Sequence, residues 1–308
     1  QHVPIALYNN SKVFSKQTFS KKENTKKTLS FPIQNQTTFE GKISLNYSDA
    51  FDFDNHHYFT LNIPEKINIF SIGTKHKFLT KIYTKDAFTF NASPIQNINY
   101  NLLEKQELII LNELEKIPNP LLTFLEKHLM QGKYVVIIPN QEIDKTSYNS
   151  LFQKLKVGQL LGLKKDSLRI TRINFKNPFY KNVFSKEIKN FQFPVVNSFF
   201  ETNFKNTASL VGYENEQSFI SKLFSEKGGV YWISSSLDIK NSNFLNSPLI
   251  VPVFYNFGKL SAKIPQVSYT IGSLHLIDIP ITLDKNEVLT IKNNTSSFIP
   301  LQQAYKSK

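Results

Sequence analysis

Glu65-Lys-Ile-Asn-Ile-Phe-Ser-Ile-Gly73, Glu107-Leu-Ile-Ile-Leu-Asn-Glu-Leu114 and Lys133-Tyr-Val-Val-Ile-Ile-Pro139 carry three short, continuous apolar runs within one stretch of chain. Amphipathic segments long enough for helices separate them. Strands buried on both faces of a parallel sheet, with helical crossovers between them, read this way. The pattern predicts an α/β core. In such sheets the chemistry lies outside the carboxyl ends of the strands, which points to Gly73, Thr74, Asn112, Glu113, Asn140 and Gln141. Ser234, at the end of a later strand-like run, joins them as a candidate cleft residue.

Helices on either side of these runs have their own punctuation. His76 to Tyr83 places Phe78, Leu79 and Ile82 on one face. Asn119 reads as an N-cap and Pro120 as the first helical residue, with Leu121, Leu122, Leu125 and Leu129 as the buried stripe and Gly132 past the end. Lys145 to Leu155 packs by Tyr148, Leu151, Phe152 and Leu155. Gly158 to Phe175 reads as a pair of strands laid against this core, and Asn177-Pro178 as one helical turn. Four further strands are expected at Val195–Phe200, Ala208–Tyr213, Phe219–Phe224 and Val230–Ser234. Ser247-Pro248 opens a last helix that Gly258 should close. The α/β domain is thus predicted over residues 64–258.

Upstream, residues 1–63 alternate apolar and polar residues in five segments, among them Pro4–Tyr8, Ser11–Phe19, Lys27–Phe31, Gly41–Tyr47 and Tyr58–Ile63. Half-buried antiparallel strands do this, and turn residues separate the segments. They make up most of an immunoglobulin-like β-sandwich, which wants about seven strands, so its first strands are expected to precede Gln1. Residues 259–308 return to alternation at Val267–Ile271, Leu276–Ile281 and Glu287–Lys292, as the start of a β-rich C-terminal domain.

The chain has 308 residues, 40% of them hydrophobic and 20% charged, which excludes both disorder and a membrane-embedded body. No apolar run approaches the roughly 18 residues of a spanning helix. The sequence begins at Gln1 with neither a methionine nor a signal segment, as an excised piece of a longer protein would. It contains no cysteine, which excludes disulfides, thiolate metal sites and a Cys nucleophile. Net charge is +13, yet Arg169 and Arg172 are the only arginines, and Arg is the residue that reads phosphate and base edges in bidentate fashion. The lysine excess therefore reads as solvated surface. Lys21, Lys22, Lys26 and Lys27 cluster at an expected hairpin tip, where they form a candidate basic contact loop and also discourage edge-to-edge sheet pairing.

Other constellations carry less. Ser71-Ile-Gly-Thr74 has one glycine where a phosphate loop needs several. In Asp52-Phe-Asp-Asn-His-His57, neighbouring histidines on a strand point to opposite faces, so a turn is favoured over a metal site. Ser234-Ser-Ser-Leu-Asp238 lacks the glycine-flanked elbow of a nucleophilic serine. His2, His76, His128 and His275 are isolated, and Trp232 reads as core.

Asp54-Asn-His-His-Tyr-Phe59, Glu65 to Gly73, Leu108 to Leu114, Gln192-Phe-Pro-Val-Val-Asn-Ser198 and Ser247-Pro-Leu-Ile-Val-Pro-Val-Phe-Tyr-Asn256 together resemble the extracytoplasmic part of BatA-type bacterial membrane proteins. Those proteins carry an aerotolerance-regulator N-terminal membrane segment and usually a von Willebrand A-like domain. The resemblance implies an immunoglobulin-like domain followed by a Rossmann-like or flavodoxin-like α/β domain similar to class I glutamine amidotransferases, anchored at the inner membrane and facing the periplasm. Amidotransferases of that class attack glutamine with a cysteine. Here Ile138 runs into Pro-Asn-Gln-Glu142, without cysteine or glycine, so the fold is expected without its chemistry. The expectation is a non-catalytic extracytoplasmic scaffold or interaction module, soluble in itself, with envelope or membrane proteins as partners. Neither a cofactor nor a specific nucleic acid is expected. The alternative is a small-ligand binder or hydrolase that uses the cleft of Gly73, Thr74, Asn112, Glu113, Asn140 and Ser234.

Overall fold

The structure is a computed structural model that describes residues 2–20, 27–33, 38–47, 52–62, 66–74, 77–180, 192–225, 227–262, 267–277, 283, 287–292 and 295–303. The chain divides into two compact units, residues 1–267 and 268–308.

The first unit opens with β1 (His2–Asn9), β2 (Lys12–Ser20), β3 (Thr38–Leu45) and β4 (His56–Asn62), which form one antiparallel sheet in the order β2-β1-β3-β4. Alternation along these strands puts Val3, Leu7 and Phe39 on an inner face, all buried. Phe39 is flanked there by Phe14, ring centroids 5.1 Å apart, and Phe59, at 6.0 Å. Gly41 faces Phe59 across the β3–β4 ladder, and a Cβ at Gly41 would come within 2.2 Å of that ring. Lys27–Phe31, expected as a strand, pairs with no strand among the described residues. A bond from Gln17 Nε2 to the Ser30 carbonyl, 2.7 Å, holds that segment against β2.

The large sheet contains β5 (Ile67–Ile72), β6 (Phe88–Ser93), β7 (Leu108–Leu114), β8 (Tyr134–Pro139), β9 (Leu160–Ile173), β10 (Val195–Thr202), β11 (Thr207–Tyr213), β12 (Ser218–Phe224) and β13 (Gly229–Ile233). Their spatial order is β10-β9-β11-β12-β13-β8-β7-β5-β6. Neighbours among β6, β5, β7, β8 and β13 run parallel, and β12, β11, β9 and β10 extend the sheet antiparallel. Numbered along the chain, the parallel strands stand in the order 2-1-3-4-5, a doubly wound arrangement. The α/β core is thus present.

Among the described residues, five helices cover it: α1 (Lys77–Ile82), α2 (Tyr100–Leu103), α3 (Asn119–Met130), α4 (Lys145–Lys154) and α5 (Ile250–Ser261). Ile69, Ile110, Val136 and Tyr231 face one way, into a core completed by Leu79 of α1 and Val253, Phe254 and Phe257 of α5. Phe70, Ile109, Val135 and Trp232 face the other way, against Leu121 and Leu125 of α3 and Tyr148 and Phe152 of α4. Burial of both faces explains why the strands read as unbroken apolar runs.

Several elements depart from expectation. Gly158–Phe175 holds one long strand, β9 (Leu160–Ile173), which pairs with β10 as far as Arg169 and with β11 from Ile170 on. Gly258 does not end α5, which continues to Ser261. It lies instead where a Cβ would come within 2.9 Å of Tyr83, Phe88 and Ile69, so its small size lets the helix sit close on the sheet. The edge strand β6 and the short α2 were not foreseen.

Beyond α5, Val267–Ile271 and Leu276–Ile277 form no strand, and residues 278–281 lie outside the described residues. Of Glu287–Lys292 only β14 (Ile291–Lys292) pairs, with β15 (Ser297–Phe298). Ile271, Leu274, Leu276 and Leu301 are more than nine-tenths exposed there. Among the described residues of the chain, no helix is long and apolar enough to cross a membrane.

Candidate functional site

The order 2-1-3-4-5 reverses direction between β5 and β7, and in open α/β sheets the crevice at that reversal is the usual ligand site. In this chain the ends of the two strands meet closely there. Gly73, with φ +139°, brings its Cα so near β7 that a Cβ would lie 2.2 Å from the Asn112 carbonyl oxygen. Gly73 N donates to Ser93 O of β6 (2.9 Å), and Asn112 is 3% exposed. Thr74 is exposed beside them.

Glu113 is positioned by a bulge. Asn112 pairs with Ile138 and Leu114 with Pro139, so Glu113 is an extra residue in the β7–β8 ladder. Its φ of +55° is left-handed, a conformation that costs a non-glycine residue about 1–2 kcal/mol. The turn aims the side chain at the loop after β13. There Glu113 Oε1 accepts from Ser236 Oγ at 2.6 Å and from Leu237 N at 2.9 Å. Asn140 Nδ2 approaches the Glu113 carbonyl at 3.4 Å, and Asn140 Oδ1 caps Glu142 N at 3.1 Å. Close by, Tyr148 OH donates to Leu114 O, and burial followed by the Glu113 charge pushes that phenol above its ordinary range.

Ser234 does not join this group. It is 3% exposed, its hydroxyl bonds Tyr213 OH at 2.9 Å, and its carbonyl receives Phe200 N at 2.6 Å. The next residues form a buried polar knot around Asn241, whose Nδ2 donates to Ser235 Oγ (2.7 Å), Ser198 O (3.1 Å) and Ser236 O (3.1 Å). Ser198 Oγ donates to Asn241 Oδ1 at 2.6 Å. Glu113 thus holds β7 to a loop that Asn241 holds to β10. Sequence reasoning missed Ser236, Asn241 and Ser198. Nothing in their local pattern separates them from ordinary loop and strand polar residues.

Elsewhere, Lys21, Lys22 and Lys26 of the expected basic loop lie outside the described residues, and Lys27 is exposed. Both arginines have internal partners. Arg169 Nε meets Glu214 at 3.0 Å and Arg172 Nη2 meets Glu216 at 2.8 Å. Asp52–Asn55 is a helical turn that leads into β4, where His56 bonds Ser44 Oγ (3.0 Å) and His57 stacks on Phe59. A surface concavity of about 490 Å³, lined by Asn9–Phe14, lies at the β1–β2 turn rather than at the strand ends.

No protein-family model and no curated protein matches the sequence. Solved structures do match in fold. One described as a cytoplasmic protein of Salmonella typhimurium superposes with a TM-score of 0.50 at 11% identity, covering 63% of this chain and 98% of its own. Another described as a cytoplasmic protein of the LT2 strain of that species gives a TM-score of 0.51 at 11% identity, over 64% of this chain and 100% of its own. A ThuA-like protein of Bacteroides uniformis gives a TM-score of 0.44 at 13% identity, over 62% of this chain and 91% of its own. At such identities the first two share an α/β fold with this chain, and their likeness extends no further than fold.

Proposed function

We propose that the chain is a non-catalytic scaffold or protein-interaction module, the extracytoplasmic part of a BatA-type envelope or stress-tolerance protein anchored in the membrane. The observation that carries the non-catalytic reading is the Glu113 clamp. Glu113, a carboxylate at the parallel strand ends, accepts from Ser236 Oγ and Leu237 N, so it braces two loops of the same molecule. The absence of cysteine from the sequence supports the same reading. The placement in the envelope, the immunoglobulin-like character of the first sheet and the class I glutamine amidotransferase-like character of the core rest on the sequence resemblance. The doubly wound strand order agrees with the last of these. Envelope or membrane proteins are the partners, and no specific nucleic acid is.

One observation favours a second reading, a small-ligand binder or hydrolase at the strand ends. Left-handed non-glycine residues gather at functional sites, and Glu113 is one. Photo-cross-linking in cells decides between them, with the full-length protein in its own membrane and probes at exposed Lys27 and Tyr58. The first reading expects cross-links to a defined envelope or membrane protein, unchanged by Glu113→Gln. Saturable binding or turnover of a small molecule that Glu113→Gln abolishes overturns it.

A further inference from the structure

At the opposite end of the sheet from Glu113, α3 turns into β8 through a tightly packed seam. The chain leaves the helix through Gly132, at φ +82°, and a Cβ at neighbouring Gly228 would come within 2.2 Å of the Lys133 carbonyl. His128 sits inside this seam, 2% exposed, with the Phe124 ring 5.9 Å away. Its Nε2 lies 3.2 Å from Tyr134 O. A carbonyl can only accept, so Nε2 carries the proton and the neutral ring presents a lone pair at Nδ1. Nδ1 is buried and has no hydrogen-bond partner among the described residues.

The charge acting on the ring comes from Lys133, whose ammonium donates to the Glu104 carbonyl. The carboxylates of adjoining elements are engaged elsewhere: Glu126 of α3 pairs with Lys154 at 2.5 Å, and Glu107, before β7, accepts from Asn68 N at 2.8 Å. Lys127 on the same helix, Glu104 and Lys105 after α2, and Lys227 before β13 are exposed. An imidazolium here would therefore gain a donor with nothing to receive it, beside another cation. Burial and then Lys133 push the ring's pKa down to about 3.

We propose that His128 makes the seam between α3 and β8 acid-labile, so that a proton on Nδ1 releases the last turn of α3 from the sheet while the rest of the core stays closed. The sign follows from linkage. The open seam binds the proton at the ordinary histidine value and the closed seam does not, so closure is strongest above about pH 6.5 and weakens as pH falls below it. At pH 5 the opening equilibrium should rise about 25-fold over its value at pH 7.

Hydrogen exchange of the whole chain at pH 7 and pH 5, corrected for intrinsic rates, tests this. Peptides covering the last turn of α3, through Gly132, should lose about 25-fold protection relative to those of α5, and His128→Gln should remove the difference. Equal loss in every element, or the same loss in the variant, overturns the proposal. Should the variant fail to fold, the ring resonances of the unaltered protein decide. A ring that stays neutral to about pH 4 while the fold persists supports it, and one that titrates near 6.5 in the closed state overturns it.

Discussion

Gly73 meets two demands that no side chain meets together: a φ of +139° and an approach to β7 that leaves no room for a Cβ. Gly73→Ala should therefore cost about 3 kcal/mol or more, from strain and from overlap with backbone that cannot move aside. Gly162, on exposed β9, has nothing within 4 Å of a Cβ position. Gly162→Ala should lie within about 1 kcal/mol of the parent, on the stabilising side, because it narrows only the unfolded ensemble. Urea unfolding of both variants checks the pair. Glu113 differs from Gly73 in bearing its left-handed φ with a side chain attached. Hydrogen bonds to a charged group contribute about 1.5–3 kcal/mol each, so the two at Oε1 offset that strain. Position alone pointed to Glu113, the residue where an apolar run ends. Its partner Ser236 lies 123 residues away, and no local pattern encodes so distant a bond.

The loop from Ser234 to Ser242 depends on Asn241 in the same way that the strand end depends on Glu113. Asn241→Ala would take the acceptor from Ser198 Oγ and one donor each from Ser235 Oγ, Ser198 O and Ser236 O, at a cost of about 1–3 kcal/mol. Exchange measurements should show that loss first at residues 234–242 and in β10, ahead of β5 and β7. Elements buried on both faces were legible, because β5, β7 and β8 are dominated by apolar residues and α3 and α4 repeat at helical spacing. Those whose identity depends on a partner were not. Phe88-Thr-Phe-Asn-Ala-Ser93 is a short edge strand, and β9 carries Lys164, Lys165 and Asp166 in an exposed stretch that resembles loop. Towards the C-terminus the alternation predicts three strands, whereas among the described residues one two-residue pairing forms, since alternation permits a strand without supplying its neighbour.

Over the whole molecule, a net charge of +13 would suggest nucleic acid if charge alone decided it. Arg169 and Arg172 are already paired to Glu214 and Glu216, so the groups best suited to read phosphates are engaged. Binding to random duplex DNA should be no tighter than about 10⁻⁶ M in 0.15 M salt, and indifferent to sequence; a tighter, sequence-selective titration would contradict this. The scaffold reading makes a sharper demand on global stability. Residues held in strain for function tend to stabilise a protein when replaced, whereas residues that brace it destabilise it. The most direct measurement is therefore denaturant unfolding of the parent, Glu113→Gln, Ser236→Ala and the double variant. A structural clamp predicts that each single change destabilises and that the pair couples by about 1–3 kcal/mol. Variants as stable as the parent or more so, with no coupling, would contradict the clamp and return Glu113 to the role of a ligand-facing carboxylate.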